Sequence, residues 1–429
     1  MKVLLKGLQL VNPDQGLNEK ADILITDGII EKIGNIDSSE IKDVKEYNFE
    51  GKLGVPGLYD MHVHFREPGQ EDKETVLSGS NSAAAGGFTG VACMPNTNPA
   101  IDSAEVVKFI IDRGRNHLVD VNPIGAVSKG REGKNLSPML ELYDAGAIGF
   151  SDDGTAVKTA ALLRSALEYS KMIDAPIIEH CEDESLAGGS MNESIVSTQL
   201  GLPSIPTVAE DLIVMRGILL AEYTGGKIHV AHLSSKRSVE LVREAKKRGV
   251  HVSAEVAPHH FTLTDECIKA FDPNYKMNPP LREQKDLEAL IEGLQDGTID
   301  CIASDHAPHN IEEKEMEFIY APNGIIGLET QLGITLSELY HTNKLTIDQI
   351  VEKLSINPRK VLNLDIPQIA VGEVANLTII DIDQEWVVDI KSFKSGSINS
   401  PFGGRKLKGK SLAVINSSQM FVDGEFLSI

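Results

Sequence analysis

The sequence predicts an α/β protein built on a (β/α)8 barrel of the TIM type, with a small β-sandwich formed by both chain ends. Apolar, strand-like runs alternate with helical patterns over roughly 270 residues in the middle of the chain. Most residues there that could bind a metal follow the end of such a strand, and barrel enzymes gather their chemistry at these ends. A doubly wound open sheet is the alternative, but only one or two of its loops would carry functional residues.

The predicted barrel strands are short, apolar and followed by polar residues. Each has a helical pattern behind it, so successive strands should lie parallel. The predicted strand ends are His64-Phe65, Met94-Pro95-Asn96, Gly125-Ala126-Val127, Ser151-Asp152-Asp153, Glu179-His180-Cys181, Ala231-His232-Leu233, Pro258-His259-His260 and Ser304-Asp305-His306.

Both ends of the chain show a different rhythm, in which short β-type runs alternate with turn signals. We therefore predict that residues 1–52 and 366–429 are the two halves of the small β-sandwich. Residues 53–365 are predicted to form the barrel. Which strands pair across the two ends does not follow from the sequence.

Helix starts are indicated at three places. Asp102 to Glu105 and Thr207 to Glu210 fit the capping-box pattern ahead of apolar runs. Ser235 precedes an amphipathic pattern that Gly249 should end.

Composition excludes several classes of protein. The 429 residues include 63 acidic and 41 basic side chains, for a net charge of −22, which disfavours binding to nucleic acid or anionic membranes. The first residues lack the pattern of a signal peptide, and no apolar run approaches the roughly 20 residues of a membrane span. Four cysteines without Cys-x-x-Cys spacing indicate free thiols in a reducing compartment, so a cytoplasmic protein is expected.

The segment Asp60 to Arg66 carries the clearest chemical signal. His62 and His64 stand two residues apart on a predicted strand, so both imidazoles point to the same side and can bind one metal ion. Arg66 falls on that side too and could hold an anion beside the metal. A metal-dependent enzyme that acts on a small carboxylate is therefore predicted.

Further residues of ligand type lie at other strand ends, and a closed barrel would bring them to the same mouth. Imidazole and carboxylate ligands suit Zn²⁺ and, less selectively, Mn²⁺ or Co²⁺. Six ligands exceed the need of one tetrahedral zinc, which favours two metals bridged by a carboxylate and a water or hydroxide. His259 and His260 stay ambiguous, and His117, His229, His251 and His341 are taken as structural. The predicted ligands are His62, His64, Asp153, His180, His232 and Asp305.

Two segments resemble the signature segments of dihydroorotases, in the amidohydrolase superfamily. They are Asp60 to Gly69 and Ala303 to His309, with Lys314 five residues beyond. Three intervening segments match as well: Met94 to Thr97, Gly149 to Gly154 and Met277 to Arg282. Related cyclic amidases usually carry a carbamylated lysine as the bridging ligand. This chain has Asp153 there, as in a bacterial branch of the family.

The resemblance implies a role for each matching residue. It places His62, His64, Asp153 and Asp305 around one zinc, and His180, His232 and the shared Asp153 around a second. It also assigns the substrate's carboxylate to Arg66, Asn96 and His309, with Asn278 nearby. Relatives commonly have Pro-Phe-Gly where this chain has Pro322-Asn323-Gly324. Asn323 and Gly324 are therefore expected to contact the substrate. How the Asn323 side chain would pack against the substrate is left open.

The implied reaction is the reversible closure of N-carbamoyl-L-aspartate to L-dihydroorotate and water, a step of de novo pyrimidine (UMP) biosynthesis. A metal-bound hydroxide would attack the ring carbonyl, with Asp305 as general acid and base. The alternatives are an allantoinase, a dihydropyrimidinase-like hydrolase or a non-catalytic partner subunit. The sequence leaves open whether the protein forms a homodimer and whether it associates with aspartate carbamoyltransferase. It also leaves open whether residues 310–327 form a lid over the barrel mouth or an ordinary exposed loop.

Overall fold

The computed structural model describes the backbone of residues 1–429 and every side chain except that of Glu40. Strands are labelled here in chain order. They are β1 Lys2–Asn12, β2 Leu17–Thr26, β3 Ile29–Gly34, β4 Val44–Asn48, β5 Leu53–Pro56, β6 Leu58–Val63, β7 Phe88–Cys93, β8 Asp120–Pro123, β9 Gly125–Ala126, β10 Phe150–Ser151, β11 Ile177–Glu179, β12 Met191–Asn192, β13 Ser204–Ile205, β14 Ile228–Val230, β15 Val252–Val256, β16 Cys301–Ile302, β17 Asn376–Val387, β18 Lys406–Asn416, β19 Gln419–Val422 and β20 Glu425–Ser428.

The helices lie between the central strands and beyond them. They are α1 Val76–Gly86, α2 Ala104–Gly114, α3 Met139–Ala145, α4 Ala160–Ser170, α5 Ile195–Leu200, α6 Val208–Thr224, α7 Lys236–Lys247, α8 Gln284–Asp296, α9 Ile311–Lys314, α10 Leu328–Thr335, α11 Ile347–Val351 and α12 Asn357–Val361.

The central strands form a closed parallel barrel. Strands β6, β7 and β8 are neighbours, and β9, β10, β11, β14, β15 and β16 follow in that order. A parallel bridge between Val63 and His306 closes the ring, and the His64 amide donates to the His306 carbonyl at 2.9 Å. Strands β8 and β9 are separated only by Ile124 and together make one strand of the barrel, so the ring has eight strands. The prediction of a (β/α)8 barrel is thereby confirmed, and the open sheet is wrong.

Both chain ends contribute to a second sheet. Its strand order is β20-β19-β18-β17-β5-β1-β2-β3, and β4 pairs with β1. The two ends meet where β17 runs antiparallel to β5, with Leu377 opposite Pro56 and Ile380 opposite Leu53. Buried side chains such as Leu5, Ile23 and Ile415 form a core of their own beneath this sheet. The predicted union of both ends is confirmed, within one continuously hydrogen-bonded sheet. The domain limits at 52/53 and 365/366 stay a prediction.

The helix starts were located correctly, but the predicted caps hold at only one of the three. Ser235 accepts from the Ser238 amide and begins α7, as predicted. Neither α2 nor α6 shows a side-chain hydrogen bond at its cap, so the capping boxes are wrong. Glu210 is drawn away from the start of α6, because it accepts from the amides of Ser234 and Ser235 at 3.1 Å.

All four cysteines are free thiols, as predicted, and Cys93, Cys181 and Cys301 are buried. Among the residues described, no helix is both long enough and apolar enough to cross a membrane.

Candidate active site

The six predicted ligands converge at the carboxyl ends of the barrel strands. All are buried, and none exposes more than 7% of its surface. They arrive from separate strand ends, so their meeting depends on barrel closure. His62 and His64 lie on or just after β6, Asp153 follows β10, His180 follows β11, His232 follows β14 and Asp305 follows β16.

Asp153 stands between two sets of imidazoles. Its Oδ1 lies 3.4 Å from His62 Nε2, 3.6 Å from His180 Nδ1 and 3.8 Å from His232 Nε2. Its Oδ2 lies 3.6 Å from His64 Nε2. Two groups with metal-binding geometry therefore share this carboxylate: His62, His64 and Asp153, and Asp153, His180 and His232.

Asp305 follows the last barrel strand, β16, and lies beside the first of these groups where the ring closes. Its Oδ1 lies 3.1 Å from His64 Nε2 and 3.7 Å from His62 Nε2. The backbone φ of Asp305 is +49° and that of His232 is +32°, a region that side chains other than glycine seldom adopt. Such strain at two converging residues is typical of functional sites.

Two atoms at the centre of this cluster test whether a cation fits. His62 Nε2 and Asp153 Oδ1 are fully buried, and neither has a hydrogen-bond partner among the described residues. Leaving a buried polar atom without a partner costs about 1–3 kcal/mol, so some other partner is expected. Neutral imidazole nitrogens and carboxylate oxygens are the donors that Zn²⁺ and similar divalent ions prefer. The residues present therefore fit a metal.

A second layer of residues orients the imidazoles, and the sequence did not reveal all of it. His62 Nδ1 donates to Glu255 Oε1 at 2.6 Å, which leaves Nε2 as the atom turned into the cluster. Glu255 also contacts His229 Nε2 at 3.2 Å and accepts from the His232 amide. His229, taken from sequence as merely structural, thus supports the site. A glutamate inside the apolar strand β15 was the signal that could have exposed this role.

The charges of this cluster compensate one another. Burial raises the pKa of Glu255, but His62 and His229 more than offset it and bring the pKa to about 2. Burial likewise raises the pKa of Asp153, yet His62, His180 and His232 hold it well below its ordinary value. Both groups are therefore carboxylates near neutral pH, and they make this part of the barrel attractive to a cation.

The predicted anion-binding residues lie around the same mouth. Arg66 is buried, and its Nε donates to the Pro308 carbonyl at 3.2 Å, which fixes the plane of the guanidinium. Burial lowers the pKa of Arg66, while Asp305 and Asp153 raise it. Asn96 supports His64, since its Oδ1 lies 2.8 Å from His64 Nδ1. Asn278 Nδ2 donates to Glu182 at 3.0 Å and lies 3.3 Å from His180 Nε2.

His309 connects the eighth strand end to the segment with the unusual asparagine. Its Nε2 lies 2.8 Å from the backbone carbonyl of Asn323, so the contact does not depend on the side chain at position 323. Gly324 has a φ of +121°, and a Cβ there would meet the Ala307 Cβ at 2.7 Å. A glycine is therefore required at this close approach.

Residues 310–327 are tied down on the barrel mouth. The buried ammonium of Lys314 donates to the carbonyls of Pro273 and Pro322, at 3.0 and 2.8 Å. Lys276, which lies outside this segment, donates to the carbonyls of Ile319 and Ala321 within it, both at 2.7 Å. Of the two conformations left open by the sequence, the structure favours a packed cover.

Asn399 is a further residue of this region that sequence reasoning missed. Its Nδ2 donates to the carbonyls of Ala307 and Gly324, and its Oδ1 accepts from the His309 amide at 3.1 Å. The C-terminal segment therefore reaches the rim of the site. The sequence around Asn399 has no metal-ligand spacing or other motif that could have indicated this.

Comparison with known proteins agrees with this geometry. A family model described as dihydro-orotase-like matches residues 51–238. A dihydroorotase of Acetivibrio thermocellus is 51% identical over 95% of this chain and 96% of its own length. The chain belongs to the dihydroorotase family. Another family member, from Syntrophus aciditrophicus, is 49% identical over 96% of each chain.

Solved structures place this dihydroorotase-family chain among cyclic amidohydrolases. The L-hydantoinase (dihydropyrimidinase) of Arthrobacter aurescens superposes with a TM-score of 0.87 at 27% identity, covering 99% of this chain and 97% of that one. A dihydropyrimidinase of Brevibacillus agri shares the fold, with a TM-score of 0.84 at 22% identity over 100% of this chain and 96% of its own. Family and ligand geometry together imply a metal site.

The role of Glu255 generates a first prediction. Glu255→Gln removes the charge that orients His62, so we expect metal affinity to fall about 10–100-fold. Metal retained after dialysis against a graded chelator series, measured by atomic absorption, checks this. Glu222→Gln, at an exposed carboxylate on α6, is the matched control. Equal retention by both variants would contradict the role assigned to Glu255.

A second prediction concerns the clamp at Lys314. Lys314→Met removes hydrogen bonds from an ammonium to backbone carbonyls, so segment 310–327 should open more often. We expect chymotrypsin to cut at Phe318 or Tyr320 about tenfold faster, with metal content unchanged. Lys285→Met, at an exposed lysine, should cleave at the wild-type rate. An unchanged rate in the Lys314 variant would show that other contacts hold the segment.

Proposed function

We propose that this protein is a zinc-dependent dihydroorotase that interconverts N-carbamoyl-L-aspartate and L-dihydroorotate in de novo pyrimidine biosynthesis. One observation carries the proposal: a chain about half identical to dihydroorotases brings five predicted ligands into two metal-binding groups at one buried mouth, with Asp305 beside them. We place the activity in the cytoplasm, where the four thiols would stay reduced.

The metal proposal is two zinc ions per chain. His62, His64, Asp153 and Asp305 would hold one, and Asp153, His180 and His232 the other. Bound divalent cations would lower the pKa of a water toward neutrality and polarise a carbonyl oxygen. The shared position of Asp153 Oδ1, close to three imidazoles, supports a bridging role for this carboxylate.

The chain's own residues would bind and orient the substrate. Arg66 would grip the ring carboxylate, because a guanidinium fork forms two parallel charge-assisted hydrogen bonds. Its link to the Pro308 carbonyl fixes the fork in advance. Asn96 and His309 would complete the anion pocket, and Asn278, Asn323 and Gly324 would line the remaining rim.

Asp305 would move the proton. In hydrolysis it accepts a proton from the attacking water and delivers it to the leaving ring nitrogen, and ring closure reverses both transfers. His64 and His62 lower the pKa of Asp305 against the effect of burial, so it starts as a carboxylate. The cover formed by residues 310–327 would keep bulk water from the reacting bond.

The alternatives fit the residues less well. The substrates of allantoinases and dihydropyrimidinases lack the ring carboxylate, so the buried guanidinium of Arg66 would have no substrate carboxylate to bind. A non-catalytic subunit would have no need for a complete ligand set. Association with an aspartate carbamoyltransferase is compatible with the proposal and is not required by it.

Turnover by the purified protein tests the proposal. Loss of L-dihydroorotate is followed by absorbance at alkaline pH, since ring closure consumes a proton and alkali favours hydrolysis. We expect chelator treatment to abolish turnover and zinc to restore it. Turnover of dihydrouracil or allantoin in place of dihydroorotate would support the alternative cyclic amidases. No turnover of any of the three by zinc-loaded protein would support the non-catalytic subunit.

Two variants separate binding from chemistry. Arg66→Met should raise KM about 10²-fold or more without loss of zinc, because it removes two charge-assisted hydrogen bonds that contribute about 1.5–3 kcal/mol each. Asp305→Asn should lower kcat about 10²-fold or more while most zinc is retained. Arg115→Met and Asp112→Asn change exposed residues on and after α2 and should match the wild type. Zinc loss in the Arg66 variant, or near-normal kcat in the Asp305 variant, would remove the assigned role.

A further inference from the structure

The loop between β9 and α3, residues 127–138, holds the end of the fourth barrel strand. Ser128 holds the side chain of Asp152, since its amide donates to Oδ1 at 2.9 Å and its hydroxyl donates to Oδ2 at 2.5 Å. The amide of Asp153, the next residue, donates to the Ser151 hydroxyl at 2.9 Å. The backbone that carries the shared carboxylate is therefore held by its neighbours.

Arg131, in the same loop, holds this backbone at two further points. Its Nη2 donates to the carbonyl of Asp152 at 3.2 Å and also to the carbonyl of Asp153. These carbonyls belong to the two peptide groups on either side of the Asp153 Cα. Holding both peptide planes restricts φ and ψ at Asp153, and with them the direction of its Cα–Cβ bond.

The backbone around Arg131 is shaped for this contact. Arg131 has a φ of +56° directly after Gly130 at +60°, so the chain turns sharply where the side chain begins. Residues other than glycine seldom adopt this region, and such strain is typical of functional positions. Gly154 keeps the approach open, because a Cβ there would meet Arg131 Nη2 at 3.0 Å.

The charge of Arg131 acts close to the shared carboxylate. Burial lowers the pKa of Arg131, and the carboxylates of Asp153 and Asp152 counteract this effect. Its Nε is buried without a hydrogen-bond partner in the described part of the chain. The guanidinium is therefore bound through the backbone of the ligand segment, and its positive charge lies near a group of buried carboxylates.

We propose that Arg131 is a positioning residue that aims the Asp153 carboxylate so that it can serve two ions. The inference rests on the proposed metal centre, in which Asp153 belongs to both ligand groups. Asp153 Oδ1 lies 3.4–3.8 Å from three imidazole nitrogens, and Oδ2 lies 3.6 Å from a fourth. A rotation of this carboxylate would weaken both groups at once.

Cobalt binding tests the inference without any measurement of turnover. Co²⁺ is titrated into metal-free protein and followed by its visible absorbance. We expect Arg131→Met and Arg131→Ala to bind Co²⁺ about 10–100-fold more weakly than the wild type. Arg237→Ala, at an exposed arginine on α7, should bind like the wild type. Wild-type affinity in either Arg131 variant would overturn the inference. A wild type that binds no Co²⁺ would overturn the proposed metal centre as well.

Chemical rescue separates positioning from a general loss of structure. Guanidinium chloride at about 10 mM should restore most of the Co²⁺ affinity of Arg131→Ala, because the small cation can donate to the same carbonyls. Sodium chloride at the same concentration should not restore it, and Asp153→Ala should not respond to guanidinium. Failure of guanidinium to restore binding in Arg131→Ala, or restoration in Asp153→Ala, would overturn the inference.

The number of ions lost identifies the route by which Arg131 acts. Because Asp153 is shared, Arg131→Met should lose affinity for both ions together. His232→Asn changes a ligand of the second group only and should lose one ion. Bound cobalt is counted by atomic absorption after gel filtration. An Arg131→Met protein that keeps one ion at wild-type affinity, as expected for His232→Asn, would contradict a role through the shared carboxylate.

Discussion

The pairing of Val63 with His306 is the constraint on which the site depends. It joins the first and last barrel strands, which lie more than two hundred residues apart in sequence. Because the ring closes there, the His64 imidazole and the Asp305 carboxylate come within 3.1 Å. An open sheet would leave these groups at opposite edges. Barrel closure therefore creates the metal-binding geometry as well as the core.

Closure also forces several charged groups into a dry environment, and their mutual arrangement makes this tolerable. Removing one partner from a buried charged pair typically costs about 3–5 kcal/mol, because the other charge is left uncompensated. The charge of Glu255 is compensated by His62 and His229, and the charge of Asp153 is compensated by the imidazoles that face it. The same arrangement leaves His62 Nε2 and Asp153 Oδ1 without a protein partner. Stability and function thus meet in one cluster, which would be completed by a cation.

The rim of the site is assembled from distant parts of the chain. Asn399, near the C-terminal sheet, donates hydrogen bonds to the backbone carbonyls of Ala307 and Gly324. Lys276 and Lys314 join the segment after β15 to the segment after β16 by bonds to carbonyls. These contacts connect backbone groups, so they tolerate variation in side chains, as the Asn323 carbonyl shows at His309. They hold the backbone around the predicted anion-binding residues in place.

The sequence by itself determined the alternation of strands and helices and the ends of the barrel strands, and it predicted the ligand set from His62 to Asp305. These features are local, since strand periodicity and residue type can be read within a few positions. Only the tertiary structure decided the closure of the ring, the supporting role of Glu255 and His229, and the reach of Asn399 to the rim. The tertiary structure also decided that Glu210 accepts hydrogen bonds from the amides of Ser234 and Ser235 instead of capping α6 as predicted. Those outcomes depend on which distant groups meet in space, and a hydrogen bond between such groups leaves no periodic trace in the chain.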